Sequence, residues 1–170
     1  MVTPMYEMYI GLGSNLGDRN ANLLNGIAML EDISSNIIKS SIYETEPVGF
    51  LTQPKFLNAV CYIEIDLNPF ELLNELKMFE KSLKRTKTFK NAPRTIDLDI
   101  LLCGDMIVNT SILNIPHPRM LERLFVLIPL MEINPTLLNP TTGNLINNTL
   151  KNYEDSEIFA SVKLISKICR

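Results

Sequence analysis

The 170-residue sequence is poor in the residues that build covalent or metal-stapled scaffolds, with three cysteines and one histidine. Cys61, Cys103 and Cys169 are odd in number and widely spaced, which suits neither a disulfide framework nor a zinc cluster. They are expected as small buried apolar side chains. His117 has no second histidine or cysteine nearby and so makes no zinc site. Long hydrophobic runs are also missing. The longest, Leu124 to Met131, contains Pro129 and falls far short of the roughly 18 residues of a spanning helix, so no membrane segment is expected. The first seven residues show neither a basic start nor an apolar stretch of the secretory kind, which points to the cytoplasm. Net charge is only −3, too small and of the wrong sign to draw the whole molecule to nucleic acid or anionic lipid.

What remains is an ordinary soluble composition, 46% apolar and 21% charged, which excludes disordered and fibrous classes. No repeat, linker or low-complexity tract divides the chain, so residues 1–170 are expected to form one domain around one core. Tyr6, Met8, Ile10 and Leu12 alternate as a strand before Gly11-Leu-Gly-Ser-Asn-Leu-Gly turns into a loop. Asp18 is placed to cap a helix whose stripe is Leu23, Leu24, Ile27, Ala28 and Leu30. Ile37–Glu44 and Leu57–Asp66 predict two strands joined by a turn-rich loop. Asn68, Pro69 and Glu71 form a helix-start signature, followed by Leu72, Leu73, Leu76, Phe79 and Leu83 at helical spacing. Thr95–Leu102 alternates as a strand, and Leu121–Glu132 predicts a helix broken at Pro129. A short helix over 145–153 and a last strand over 162–168 are expected beyond that. Strand, helix, strand, strand, helix, strand is the order of a ferredoxin-like α+β sandwich, with helices on one face of a mainly antiparallel sheet.

Chemistry concentrates around one strand. Ile96, Leu98, Ile100 and Leu102 make an apolar face, so Asp97 and Asp99 share the opposite one. Same-face neighbours lie roughly 7 Å apart on a strand, close enough for both carboxylates to serve one or two hard cations and close enough to repel when unneutralised. Solvated acids on an outer sheet face are the bland alternative. The approach to the strand favours use: Lys81, Lys84, Arg85, Lys87, Lys90 and Arg94 follow one another with no acid between them, a polyphosphate-capable segment ending three residues before Asp97. His117 lies between Pro116 and Pro118, with Arg119 and Arg123 close behind, as either a fixed histidine or part of a phosphate contact. The Gly11-x-Gly13-x-x-x-Gly17 spacing fits neither a P-loop nor the dinucleotide fingerprint, and is read as close backbone passage beside a ligand or strand.

The set Tyr9-Ile-Gly-Leu-Gly-Ser-Asn-Leu-Gly-Asp-Arg, Gln53-Pro-x-Phe-Leu-Asn58, Ala92-Pro-Arg-Thr-Ile-Asp-Leu-Asp-Ile-Leu-Leu and Ile115-Pro-His-Pro-Arg-Met, with Arg123 and Phe125, resembles the 6-hydroxymethyl-7,8-dihydropterin pyrophosphokinases of folate biosynthesis over about residues 6 to 135. The resemblance implies a ferredoxin-like core and an ATP- and Mg-dependent diphosphotransferase that moves the β,γ-diphosphate of ATP to the pterin hydroxymethyl group and releases AMP. It implies two Mg²⁺ on Asp97 and Asp99, with Arg85 and Arg94 also in catalysis. Pterin contacts map to Thr45, Val48, Phe56, Asn58 and Phe125, and ATP contacts to Glu80, Arg85, Lys87, Arg94, Ile100, His117 and Arg123. ATP and the pterin are then the partners of a monomer that uses neither nucleic acid nor membrane. Leu83-Lys-Arg-Thr-Lys and Asn91-Ala92 depart from the family's usual Leu-Gly-Arg-x-Arg and Trp-Gly, and the 84–92 segment is expected to order on ligand binding. Two rival classes stand beside this one. An acid pair next to a basic loop could serve a metal-dependent nuclease, and a non-catalytic ferredoxin-like module could carry the acids incidentally.

Overall fold

The computed structural model describes residues 4–49, 52–83 and 92–168. Its elements run β1 (Tyr6–Ser14), α1 (Arg19–Ile33), β2 (Asn36–Lys39), β3 (Ile42–Thr45), β4 (Phe56–Ile65), α2 (Pro69–Ser82), β5 (Asp97–Cys103), β6 (Val108–Asn109), β7 (Asn114–Ile115), a 3-10 turn over Met120–Glu122, α3 (Leu124–Ile133), α4 (Ile146–Lys151), α5 (Glu157–Ala160) and β8 (Lys163–Ser166). The main sheet has the order β5-β1-β4-β3-β8, with β2 also on β4, and every pairing in it is antiparallel. The expected α+β class and ferredoxin-like strand order are both present.

Local signals act as the residues predict. Asp18 Oδ1 accepts from the Ala21 N–H at 3.0 Å and starts α1. Asn68 Oδ1 accepts from Phe70 and Glu71 N–H at 2.9 and 3.1 Å, while Glu71 Oε2 takes the Asn68 N–H at 2.8 Å, a reciprocal capping box at the head of α2. The stripe of α1 is narrower than expected: Leu23, Gly26, Ile27 and Leu30 are buried, whereas Leu24 and Ala28 face solvent. Gly26 explains the shift, because a Cβ there would stand 3.2 Å from Leu12 Cδ2 and 3.5 Å from Ile96 Cδ1. The helix settles on the sheet at its glycine.

Two apolar cores flank the sheet. The first joins Met8, Ile10 and Leu12 of β1 and Leu98 and Ile100 of β5 to Leu23, Ile27 and Leu30 of α1 and Leu72 and Leu76 of α2. The second joins Tyr9, Val60, Leu101 and Leu102 to Leu124, Leu127 and Leu130 of α3 and Ile146 and Leu150 of α4. Helices thus lie on both faces, not on one. The reason is in α3, whose apolar residues surround its axis; such a helix must be covered from several sides. It also runs through Pro129 without ending, because burial of six of its ten residues outweighs the one backbone bond that proline cannot donate.

Two further departures are local. Between Ile10 opposite Ile100 and Tyr9 opposite Leu102, the ladder slips by one residue and leaves Leu101 extra. After this bulge Leu102 joins the second core, not the face of Leu98 and Ile100. The strand expected over 37–44 divides at Ser40 and Ser41, where Ser40 Oγ donates to the Ser41 carbonyl at 2.8 Å and accepts the Val60 N–H at 2.9 Å. A side chain there replaces a backbone ladder bond. Cys61 and Cys103 are buried free thiols held up by burial at about 12 and about 11, as expected for inert core residues. Cys169 lies outside the described residues. Among the described residues, no helix is long and apolar enough to cross a membrane.

Candidate active site

Strand register builds the floor of a cleft. Gly13 of β1 lies opposite Asp97 of β5 on one side and Asn58 of β4 on the other, and Gly11 lies opposite Asp99. Neither glycine places a side chain on the floor between the acids and Asn58. A Cβ on Gly13 would come 3.2 Å from Asn58 Oδ1 and 3.7 Å from Phe56 Cδ1. Close backbone passage, expected for the glycines, is what this register uses. The open cleft encloses about 780 Å³, including some open solvent. Thr45, Glu46, Val48, Phe56 and Asn58 line one wall, and Arg94, Arg119, Arg123, Phe125 and Val126 line the rest above the acids.

Charges in the cleft are matched. The Arg94 guanidinium donates to Asp97 Oδ2 in a close ion pair, and its Nε donates to the Ala92 carbonyl at 3.2 Å. Its Cζ also lies 5.8 Å from the centroid of the Phe56 ring. Arg123 stands 3.9 Å from Asp99 and 5.6 Å from the centroid of Phe125. Burial holds the Arg123 guanidinium below its usual range, opposed by Asp99 and assisted by Arg119 and Arg94. On the other wall, Asn58 Nδ2 donates to Thr45 Oγ1 at 2.8 Å, and both residues are buried. That bond orients the amide and leaves its oxygen toward Gly13.

The structure gathers Thr45, Val48, Phe56, Asn58, Arg94, Asp97, Asp99, Arg123 and Phe125 around one cleft. Three other expected contacts stand apart from its lining. Glu80 is buried on α2, and its Oε1 accepts the Leu98 N–H at 2.9 Å, so it holds the backbone between the two acids from behind. Ile100 points into the first core, which leaves only its backbone to meet a ligand. His117 is tied to β5 by its N–H to the Leu101 carbonyl at 2.8 Å, and its Nδ1 accepts the Arg119 N–H at 3.2 Å. Its proton therefore sits on Nε2, and burial, with Arg123 and Arg119 nearby, lowers it to about 4. Arg85 and Lys87 lie outside the described residues, as does most of the 84–92 segment. Sequence reasoning named Arg119 beside His117 for a phosphate contact, and the structure puts it in the cleft wall. It missed Asn15, whose signal was the Gly-Ser-Asn step at the end of a strand.

Comparison with known proteins identifies the family. The profile of 7,8-dihydro-6-hydroxymethylpterin-pyrophosphokinase (HPPK) matches residues 9–135. The 2-amino-4-hydroxy-6-hydroxymethyldihydropteridine pyrophosphokinase of Bacillus subtilis is 50% identical over 127 residues, which cover 74% of this chain and 76% of that one. The folic acid synthesis protein fol1 of Pneumocystis carinii is 44% identical over 152 residues, 89% of this chain but only 20% of that longer protein. Among solved structures, wild-type Plasmodium falciparum HPPK-DHPS with pterin and p-hydroxybenzoate superposes with a TM-score of 0.72 at 17% identity, over 95% of this chain and 45% of that one. That likeness speaks for the fold alone. Profile and sequence relatives together assign the chain to the 7,8-dihydro-6-hydroxymethylpterin-pyrophosphokinase family.

Proposed function

We propose that the cleft performs the pyrophosphoryl transfer of this family in folate biosynthesis, with ATP as donor and 6-hydroxymethyl-7,8-dihydropterin as acceptor, and with Asp97 and Asp99 holding two Mg²⁺ ions. The observation that carries it is one cleft that holds two acids and three arginines able to handle anions beside two phenylalanines and an oriented amide able to take a flat ligand. In the reaction the pterin hydroxymethyl oxygen forms a bond to the β-phosphorus and gives up its proton to water, the bond from that phosphorus to the oxygen bridging it to the α-phosphate breaks, and AMP leaves with that oxygen.

The donor set fits magnesium. Two carboxylates on one strand face supply hard oxygens, and no group of three metal-ligating side chains occurs among the described residues. Mg²⁺ commonly uses one or two carboxylates and completes its shell with water and substrate phosphates. Bound there, it would neutralise phosphate charge. The protein's own residues do the rest. Arg94 and Arg123 rest on the acids and, when those acids turn to a cation, are placed to donate to phosphate oxygens. Neutral His117 offers an Nε2–H donor that stays a donor throughout the physiological range. Phe56 and Phe125 exclude water and offer faces to a bicyclic ring, while Asn58 Oδ1 accepts from its N–H groups. Such a site needs positioning and charge neutralisation more than a strong base.

Isothermal titration tests the reading. A non-hydrolysable ATP analogue with Mg²⁺ and the pterin should bind together, and AMP should form from ATP only when pterin is present. Oligonucleotide binding without either ligand would overturn it.

A further inference from the structure

The Gly-Ser-Asn step after β1 and the Gln53-Pro54 step before β4 are joined by one side chain. Asn15 is only 1% exposed. Its Nδ2 donates to Gln53 Oε1 at 2.9 Å and to the Pro54 carbonyl at 3.0 Å. Its Oδ1 accepts the Arg94 N–H at 2.8 Å, and its own N–H donates to the Arg94 carbonyl at 3.1 Å. Both amide hydrogens thus serve the segment leading into Phe56. The amide oxygen and the backbone serve Arg94, whose guanidinium lies over Phe56 and pairs with Asp97.

Few side chains can do this. Aspartate would face the Pro54 carbonyl with a carboxylate, serine is too short, and leucine would leave a buried N–H and carbonyl unpaired. We propose that Asn15 is a positioning residue that fixes the arginine of the phosphate side to the loop of the pterin side, so that donor and acceptor meet in one register. This rests on the reading that Arg94 serves ATP and Phe56 serves the pterin. Asn15 itself touches neither substrate in this assignment. Losing it leaves both half-sites present and misaligns them, which is a loss in kcat more than in either KM.

The test compares Asn15→Ala and Gln53→Ala with the wild-type chain, by steady-state AMP formation with each substrate varied and by circular dichroism. Gln53 is half-buried, so its truncation cuts one of the ties with less risk to the fold. Asn15→Ala is expected to lower kcat about 10–100-fold and Gln53→Ala by less, with KM for ATP and for pterin changing about threefold or less. If Asn15→Ala does not fold, Gln53→Ala decides. Unchanged kcat in the folded variants, or a rise in KM for one substrate that accounts for the whole loss, overturns the inference alone. A wild-type chain that forms no AMP overturns the substrate assignment, and the inference with it.

Discussion

The Arg123 guanidinium sits 5.6 Å from the centroid of Phe125, and both residues line the cleft. The same cation reaches toward Asp99, so it stands between the two halves of the cleft. Arg94 and Phe56 repeat the arrangement on the other side. Each aromatic face is therefore linked to an arginine that pairs with one of the two acids.

Phe125→Ala is expected to weaken pterin binding by about 0.5–1.5 kcal/mol beyond the lost contact area, and ATP-analogue binding by less. Phe125 is half-buried and packs on the second core, so stability should fall modestly as well. Titration of each ligand separately checks this. Equal losses for the two would mean that the ring is core only.

Asp97→Asn and Asp99→Asn should each abolish Mg²⁺-dependent AMP formation with the fold intact. The sequence alone suggests that removing one of two neighbouring acids relieves repulsion. In the structure each acid has its own arginine, Asp97 with Arg94 and Asp99 with Arg123. These are partly exposed pairs, so metal-free stability should change by only about 0–1 kcal/mol. Thermal unfolding alongside the AMP assay measures both. Near-normal turnover would defeat the metal assignment.

Arg94→Lys keeps the charge but loses the fork that joins Ala92, Asp97 and the Phe56 face. A fall of about 10²–10³ in kcat with a smaller rise in KM for ATP is expected if the contact tightens in the transition state. Equal changes in the two constants would assign Arg94 to ground-state binding.

His117 gives a pH prediction. Its folded pKa, about 4, lies below the usual 6.5, because burial disfavours the imidazolium. The unfolded chain then binds the proton more readily, so this contribution to stability is fully present above pH 6.5 and is lost as pH falls toward 4. His117→Gln should flatten the decline in Tm between pH 7 and pH 5. An unchanged slope would show that His117 is not its source.

Much of this molecule is legible in its sequence because the signals are local. The Asn68–Glu71 capping box, the alternation of Tyr6 to Leu12 and the placing of Asp97 and Asp99 opposite Leu98 and Ile100 each depend on residues a few positions apart, within the reach of backbone geometry. Which face gets covered is decided elsewhere. The bulge at Leu101 sends Leu102 to the second core, α3 passes through Pro129 because its surroundings hold it, and Glu80 braces β5 from a helix eighteen residues earlier in the chain. The same holds for Asn15, whose partners lie 38 and 79 positions away. Local alternation fixes which residues share a face, but only packing between distant segments decides what that face meets, because a buried amide or a bulge is stable only when its partners arrive.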